Sequence, residues 1–137
     1  KLATLQYTRF WAAKQGKKPT GDHGTYHLLG GQAEDTQALI KKVSKGLLVT
    51  RFWYTRWLDP RTLLVTGLTR DGVFLIEKGE VAYPVNNFRF NESPAKMLAA
   101  CTDLTKTSRR IPGHAETLRV PAILTHDFEM SSVSAAV

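Results

Sequence analysis

The sequence predicts an α+β domain, a predominantly antiparallel β-sheet with two short helices. Three observations carry this expectation. Between Leu47 and Leu58 the chain is rich in β-branched and aromatic residues, the types that suit a pleated surface. Turn signals then follow at short intervals, at Asp59-Pro60-Arg61-Thr62, Asp71-Gly72 and Lys78-Gly79. Only two stretches space their apolar residues as a helix does.

The first helix is predicted from Asp35 to Lys45. Ala38, Leu39, Ile40 and Val43 fall on one side, Lys41, Lys42 and Lys45 sit where the helix dipole favours cations, and Gly46 supplies a left-handed stop. The second opens with Ser93 as N-cap and Pro94 at its first position, and sets Met97, Leu98, Cys101 and Leu104 on one face. The run from Leu47 to Leu58 is one long strand, and Leu63 to Thr69 returns beside it. Asp71-Gly72 is the best two-residue hairpin signal, which gives Gly72 a positive φ and leads into a strand over Val73 to Glu77. Lys78-Gly79 is a softer turn before Glu80 to Tyr83. Phe88-Arg89-Phe90 extends the sheet, and Leu118 to Met130 adds one or two strand segments interrupted by Pro121. Loops are expected over Gly16 to Asp22 and Lys106 to His114.

Length bounds the organisation, because 137 residues supply material for a single domain, residues 1–137. The first residue is Lys1 and not Met, as in a piece cut from a longer protein. Apolar runs such as Leu47-Leu48-Val49 are far too short for a membrane-spanning helix, so no membrane partner is expected. One cysteine cannot form an internal disulfide and no signal peptide is visible, which favours a reducing, cytoplasmic setting. With 19 Lys+Arg against 12 Asp+Glu the net charge is +7, which permits a polyanionic partner. The cations are scattered from Lys1 to Arg119, however, and scattered cations describe a solvated basic surface better than a nucleic-acid stripe.

Candidate chemistry is sparse. His23 and His27 have ligand-like spacing only on a helix, and the glycines around them argue for loop and strand. Cys101, on the inward side of the second helix, reads as a small buried hydrophobe. The run Arg51-Phe52-Trp53-Tyr54-Thr55-Arg56-Trp57 interleaves rings and cations, a pattern that can clamp single-stranded nucleic acid. Strand alternation sends Arg51, Trp53, Thr55 and Trp57 to one face and Phe52, Tyr54 and Arg56 to the other, and packing is the commoner use of such rings. That is more apolar area than one small core needs, so part of it is expected to be covered by another domain or subunit. Phosphate-cradling glycine motifs, a nucleophile elbow and a CxxC pair are absent from the sequence.

Longer ordered segments carry a resemblance. Gly46-Leu47-Leu48-Val49-Thr50-Arg51-Phe52-Trp53-Tyr54, Asp59-Pro60-Arg61-Thr62, the stretch from Gly67 to Glu77 and Asn87-Phe88-Arg89-Phe90-Asn91-Glu92-Ser93 resemble the C-terminal domain of the TldD/PmbA family. Tyr7 to Ala12, Lys17 to Gly21, Val120-Pro121-Ala122 and Phe128 fit the same pattern. The resemblance implies a zinc-dependent protease, of a family long labelled modulators of DNA gyrase, acting as a homo- or heterodimer on peptides or unfolded proteins. It implies zinc in the parent protein and a second TldD/PmbA-like subunit as partner. The family's zinc helix, H-E-x-x-x-H, lies before the matched region and does not occur in these 137 residues. Members of the TldD type complete the metal site with a cysteine in a glycine-rich loop, but the comparable Arg109-Arg110-Ile111-Pro112-Gly113-His114-Ala115 has none. The ligand role is not carried to Cys101, and His114 reads as a loop histidine. The implied role is that of a cleft and dimerisation domain, with no catalytic, cofactor or metal residue of its own and no metal bound by this chain alone. A basic nucleic-acid-associated module is the alternative.

Overall fold

In a computed structural model, residues 7–20, 30–110 and 119–134 are described. The chain divides into two compact units, Lys1–Leu28 with Arg109–Val120, and Leu29–Ser108 with Pro121–Val137. In the first, helix α1 (Arg9–Lys14) is capped by Thr8, whose hydroxyl accepts from the Trp11 N–H at 3.3 Å. Ala12 is buried on it, and Thr20 donates its backbone N–H to the Tyr7 carbonyl at 3.0 Å. This helix has no counterpart in the sequence reading, since six residues are too few to display a periodicity.

The second unit is built on strands. Helix α2 (Thr36–Ile40) is followed by β1 (Lys45–Asp59), β2 (Leu64–Glu77), β3 (Glu80–Val85) and β4 (Asn87–Glu92). After helix α3 (Pro94–Ala99) come β5 (Cys101–Arg110), β6 (Arg119–Thr125) and β7 (Met130–Ser134). The antiparallel sheet has the order β1-β2-β4-β7, with β3 also on β2, and β5-β6 forms a separate ribbon. Strand β2 is therefore central. It has β1 along one side, and β4 and β3 on successive halves of the other.

Both expected helices exist but stop early. Asp35 caps α2 by accepting the Ala38 N–H at 2.8 Å. The chain leaves the helix after Ile40 because the carbonyls of Val43 and Ser44 accept from Gly79 and Lys78, at 2.8 and 2.7 Å. Gly46 is thus a strand residue and not a helix stop. Ser93 stands at the N-cap of α3 with Pro94 after it, yet its hydroxyl makes no capping bond. Cys101 is not on that helix; it begins β5, so the helical spacing of Met97, Leu98, Cys101 and Leu104 loses to tertiary pairing. Ala33 bridges in parallel to Thr105, donating to the Leu104 carbonyl at 3.1 Å and accepting from the Lys106 N–H at 2.8 Å. Residues Lys106 to Arg110, expected in a loop, are therefore strand.

The turn at Asp59-Pro60-Arg61-Thr62 forms as predicted, with the Asp59 carboxylate accepting from the Arg61 N–H and the Thr62 hydroxyl, both at 2.9 Å. Asp71-Gly72 does not turn the chain. Val49 pairs with Val73 and Arg51 with Arg70, so Asp71 and Gly72 together oppose the single residue Thr50 in a β-bulge. The Thr50 hydroxyl donates to the Gly72 carbonyl at 2.9 Å and closes the bulge. The real two-residue hairpin is Lys78-Gly79, where both residues have positive φ, 53° and 82°, and Glu77 pairs with Glu80. Bulge and turn share a dipeptide signature because both need positive φ, and pairing along β1 decides between them.

Gly72 has φ 127°, and a Cβ there would approach the Phe74 ring to 2.9 Å. Gly72→Val and Gly79→Val are each expected to lower the urea midpoint by the equivalent of about 1–3 kcal/mol, the cost of a β-branched residue in a sparsely populated backbone region. Near-neutral results at both positions would contradict the bulge and turn assignments.

Candidate binding surface along β1

Among the described strands β1 pairs with β2 alone, so its outer edge has no strand beside it. Fifteen residues are long for an edge, and an edge of that length offers a row of backbone donors and acceptors. Its register is broken between Val49 and Arg51, between Trp53 and Arg56, and between Trp57 and Asp59. The middle break has the larger consequence. Tyr54 adopts φ 51°, Trp53 pairs with Leu68, and Arg56 pairs with Thr66, so two residues of β1 oppose Gly67. Past this bulge the alternation inverts. Trp57, opposite Val65, shares the face of Phe52, opposite Thr69, and not that of Trp53 as simple alternation predicts.

On the first face Phe52 meets the Phe90 ring edge-on at 4.9 Å and stacks on Phe128 at 5.5 Å. Phe90, buried at 3%, lies over Gly67, where a Cβ would come within 2.6 Å of its ring. The opposite face carries Arg51, Trp53 and Arg70. The guanidinium carbons of Arg51 and Arg70 lie 4.5 and 5.1 Å from the Trp53 ring centroid. Asp71 accepts from Arg51 at 2.7 Å and stands 3.7 Å from Arg70. Tyr54 is 73% exposed and Trp57 58%, with Leu58 beside them at 56%. The expectation of excess apolar area thus holds at the distal end of β1, while Phe52 and Trp53 are partly used in packing.

A cleft of about 400 Å³ opens elsewhere in this unit, lined by Lys42 to Leu47, Thr102, Asp103 and Leu124 to His126. Asp103 organises its wall. One carboxylate oxygen accepts from the backbone N–H groups of Leu104 and Gln32, at 2.7 and 3.2 Å, and the other from the Lys42 ammonium at 2.5 Å. The Lys42 bond, followed by the two backbone donors, holds this carboxyl below the ordinary aspartate range. Glu92 is a buried carboxylate, 3% exposed, accepting the N–H groups of Ser93 and Glu129 at 2.8 and 3.0 Å. Neither acid is recognisable in the sequence, where both resemble surface carboxylates.

His23, His27 and His114 lie outside the described residues. Burial raises the Cys101 thiol above its usual value, an effect the Asp103 backbone partly offsets, and the thiol donates to the Asp103 carbonyl at 3.5 Å. His126 bonds the Thr102 hydroxyl at 3.2 Å. Among the described residues no three His, Cys, Asp or Glu side chains converge as a zinc centre requires, so these residues do not fit the metal implied for the parent.

A family model described as "PmbA/TldA metallopeptidase C-terminal domain" matches residues 1–132. Of solved structures, TldE from Thermococcus kodakarensis superposes with TM-score 0.67 at 19% identity, over 95% of this chain and 31% of that one. A candidate modulator of DNA gyrase from Bacteroides thetaiotaomicron superposes with TM-score 0.74 at 21% identity, over 90% of this chain and 27% of that one. At these identities the likeness is one of fold, an antiparallel sheet with a few short helices. This chain spans less than a third of the length of either. Comparison with curated proteins yields no match.

The Asp103 geometry predicts an acid-dependent stability. A carboxyl whose pKa is lowered by folding stabilises the fold above its unfolded value of about 3.9, and that contribution is lost as pH falls through the lower folded value. Asp103→Asn is expected to be less stable than wild type in urea at pH 7. Its stability is also expected to fall less steeply with acid below about pH 4. Parallel pH profiles for the two proteins would contradict the assignment.

Proposed function

The chain belongs to the PmbA/TldD family of metallopeptidase C-terminal domains, and from that membership we propose that it forms a wall of the substrate cleft and a subunit contact in a longer zinc-dependent protease acting on peptides or unfolded proteins. The observation that carries this reading is the outer edge of β1, which no other described strand covers. An extended peptide can add to such an edge through backbone hydrogen bonds without regard to its sequence, which suits an enzyme of unfolded chains. A strand of a second subunit can use the same groups. Exposed Tyr54, Trp57 and Leu58 add apolar area where pairing alone would be weak.

The zinc and the base that activates water are assigned to the parent's zinc helix. The described residues offer no converging ligands, and the Cys101 thiol is poorly suited to ionise. What this domain does is positional: the hairpin of β1 and β2 holds an extended segment straight and excludes water from one side of it. A cytoplasmic setting, proposed for the parent, would keep Cys101 a thiol.

The test places gatekeeper lysines beside the edge. In the intact protein, Trp57→Lys with Leu58→Lys is expected to raise KM for an unstructured peptide about tenfold, the effect of losing ~1.4 kcal/mol of binding, or to shift sedimentation from dimer to monomer. Zinc content is expected to stay at the wild-type level. Unchanged KM together with unchanged sedimentation would overturn the reading.

A further inference from the structure

The face of the sheet that carries Trp53 has a feature that strand addition does not use. Pairing sets Arg51 directly opposite Arg70, an arrangement of like charges that is unfavourable by itself. The next row runs Trp53, Leu68, Arg89 and Ser132 across β1, β2, β4 and β7, which brings Arg89 to the same face one strand further on. All three arginines are exposed. Among the described residues Asp71 is the one carboxylate paired with this group; it serves Arg51 and Arg70, and no described acid pairs with Arg89.

We propose that the Arg51–Trp53–Arg70 stack, continued by Arg89, is a docking site for aspartate- and glutamate-rich segments of the substrate polypeptide. The substrate assignment rests on the peptidase reading above; the docking chemistry does not. Two observations support carboxylate as the occupant. Asp71 already shows the chemistry, since its two oxygens address the two guanidinium groups at 2.7 and 3.7 Å. Stacking on the indole fixes both arginines in place, so less side-chain freedom is lost when a second carboxylate arrives. A nucleic-acid strand fits less well, because the ring that would stack a base already carries two guanidinium groups.

The test measures binding to the intact protein by fluorescence anisotropy, with a chelator present so that nothing is cleaved. The probes are a short labelled peptide of alternating glutamate and serine, its glutamine counterpart, and an oligothymidylate. The glutamate peptide is expected to bind, and to weaken steeply as salt rises from about 50 to 200 mM, while the glutamine peptide does not. Arg51→Gln with Arg70→Gln is expected to cost at least about tenfold in affinity, and Arg89→Gln less. Lys17→Gln with Lys18→Gln, which removes the same two charges elsewhere, is expected to stay within about twofold. Arg51→Lys with Arg70→Lys keeps the charge but loses the planar fork, and is expected to fall between. Equal binding of the glutamate and glutamine peptides, or no effect of the double arginine variant, would overturn the proposal. So would tighter binding of oligothymidylate with the same arginine dependence, which would make the face a nucleic-acid surface. In a separate assay without chelator and with zinc supplied, failure of the intact protein to hydrolyse either peptide would count against the peptidase reading and leave the docking result standing.

Discussion

The missing side chain at Gly67 is the constraint on which this sheet depends. Phe90 lies on Gly67 and is buried there, and its ring contacts both Phe52 and Phe128. One ring thereby joins β1, β2, β4 and the segment that leads into β7. Aromatic contacts of this kind contribute about 0.5–1.5 kcal/mol each beyond the area they bury. A Cβ at position 67 would come within 2.6 Å of the ring and 3.1 Å of the Trp53 carbonyl, so the ring and the β1 bulge cannot both keep their places beside an alanine. Glu92, two residues beyond Phe90, fixes the same junction from the polar side by accepting the N–H groups of Ser93 and Glu129.

From this anchor the functional surface follows. Because β4 and β3 occupy one side of β2 in succession, β1 is left at the margin of the sheet with its far edge bare of other described strands. The bulge opposite Gly67 then divides β1 into two stretches of opposite phase. Before it, Arg51 and Trp53 look toward the arginine face; after it, Trp57 joins the face of Phe52. Strand edge, aromatic end and cationic face are thus three surfaces of one hairpin. The hairpin is rigid enough to hold them because its bulges are closed by specific bonds, such as Thr50 to the Gly72 carbonyl.

The sheet class, the turn at Asp59 to Thr62, the capping at Asp35 and the strand character of β1 were legible in the sequence, because each rests on local chemistry. What was not legible depended on pairing across the sheet. Asp71-Gly72 reads as a hairpin by composition, and only the match of Thr50 against two residues turns it into a bulge. Cys101 and Leu104 fit a helical face, but Ala33 and β6 claim the backbone there for a strand. The arginine cluster was half visible: Arg51 and Trp53 are neighbours in the chain, whereas Arg70 and Arg89 join them only through register. The proposed division of labour with a zinc helix elsewhere came from family resemblance, and no pattern within these residues encodes it.

The central claim is that the outer edge of β1 is a vacant pairing surface completed by a peptide or a second subunit. Residue-resolved hydrogen exchange along Lys45–Asp59 tests it most directly. The account predicts alternation in the free protein, with amides directed at β2 protected and amides on the outer edge exchanging fast. The outer set should slow when an unstructured peptide is added or when the subunits associate. Uniform protection along β1 in the free monomer, or outer amides that stay fast in every complex, would contradict it.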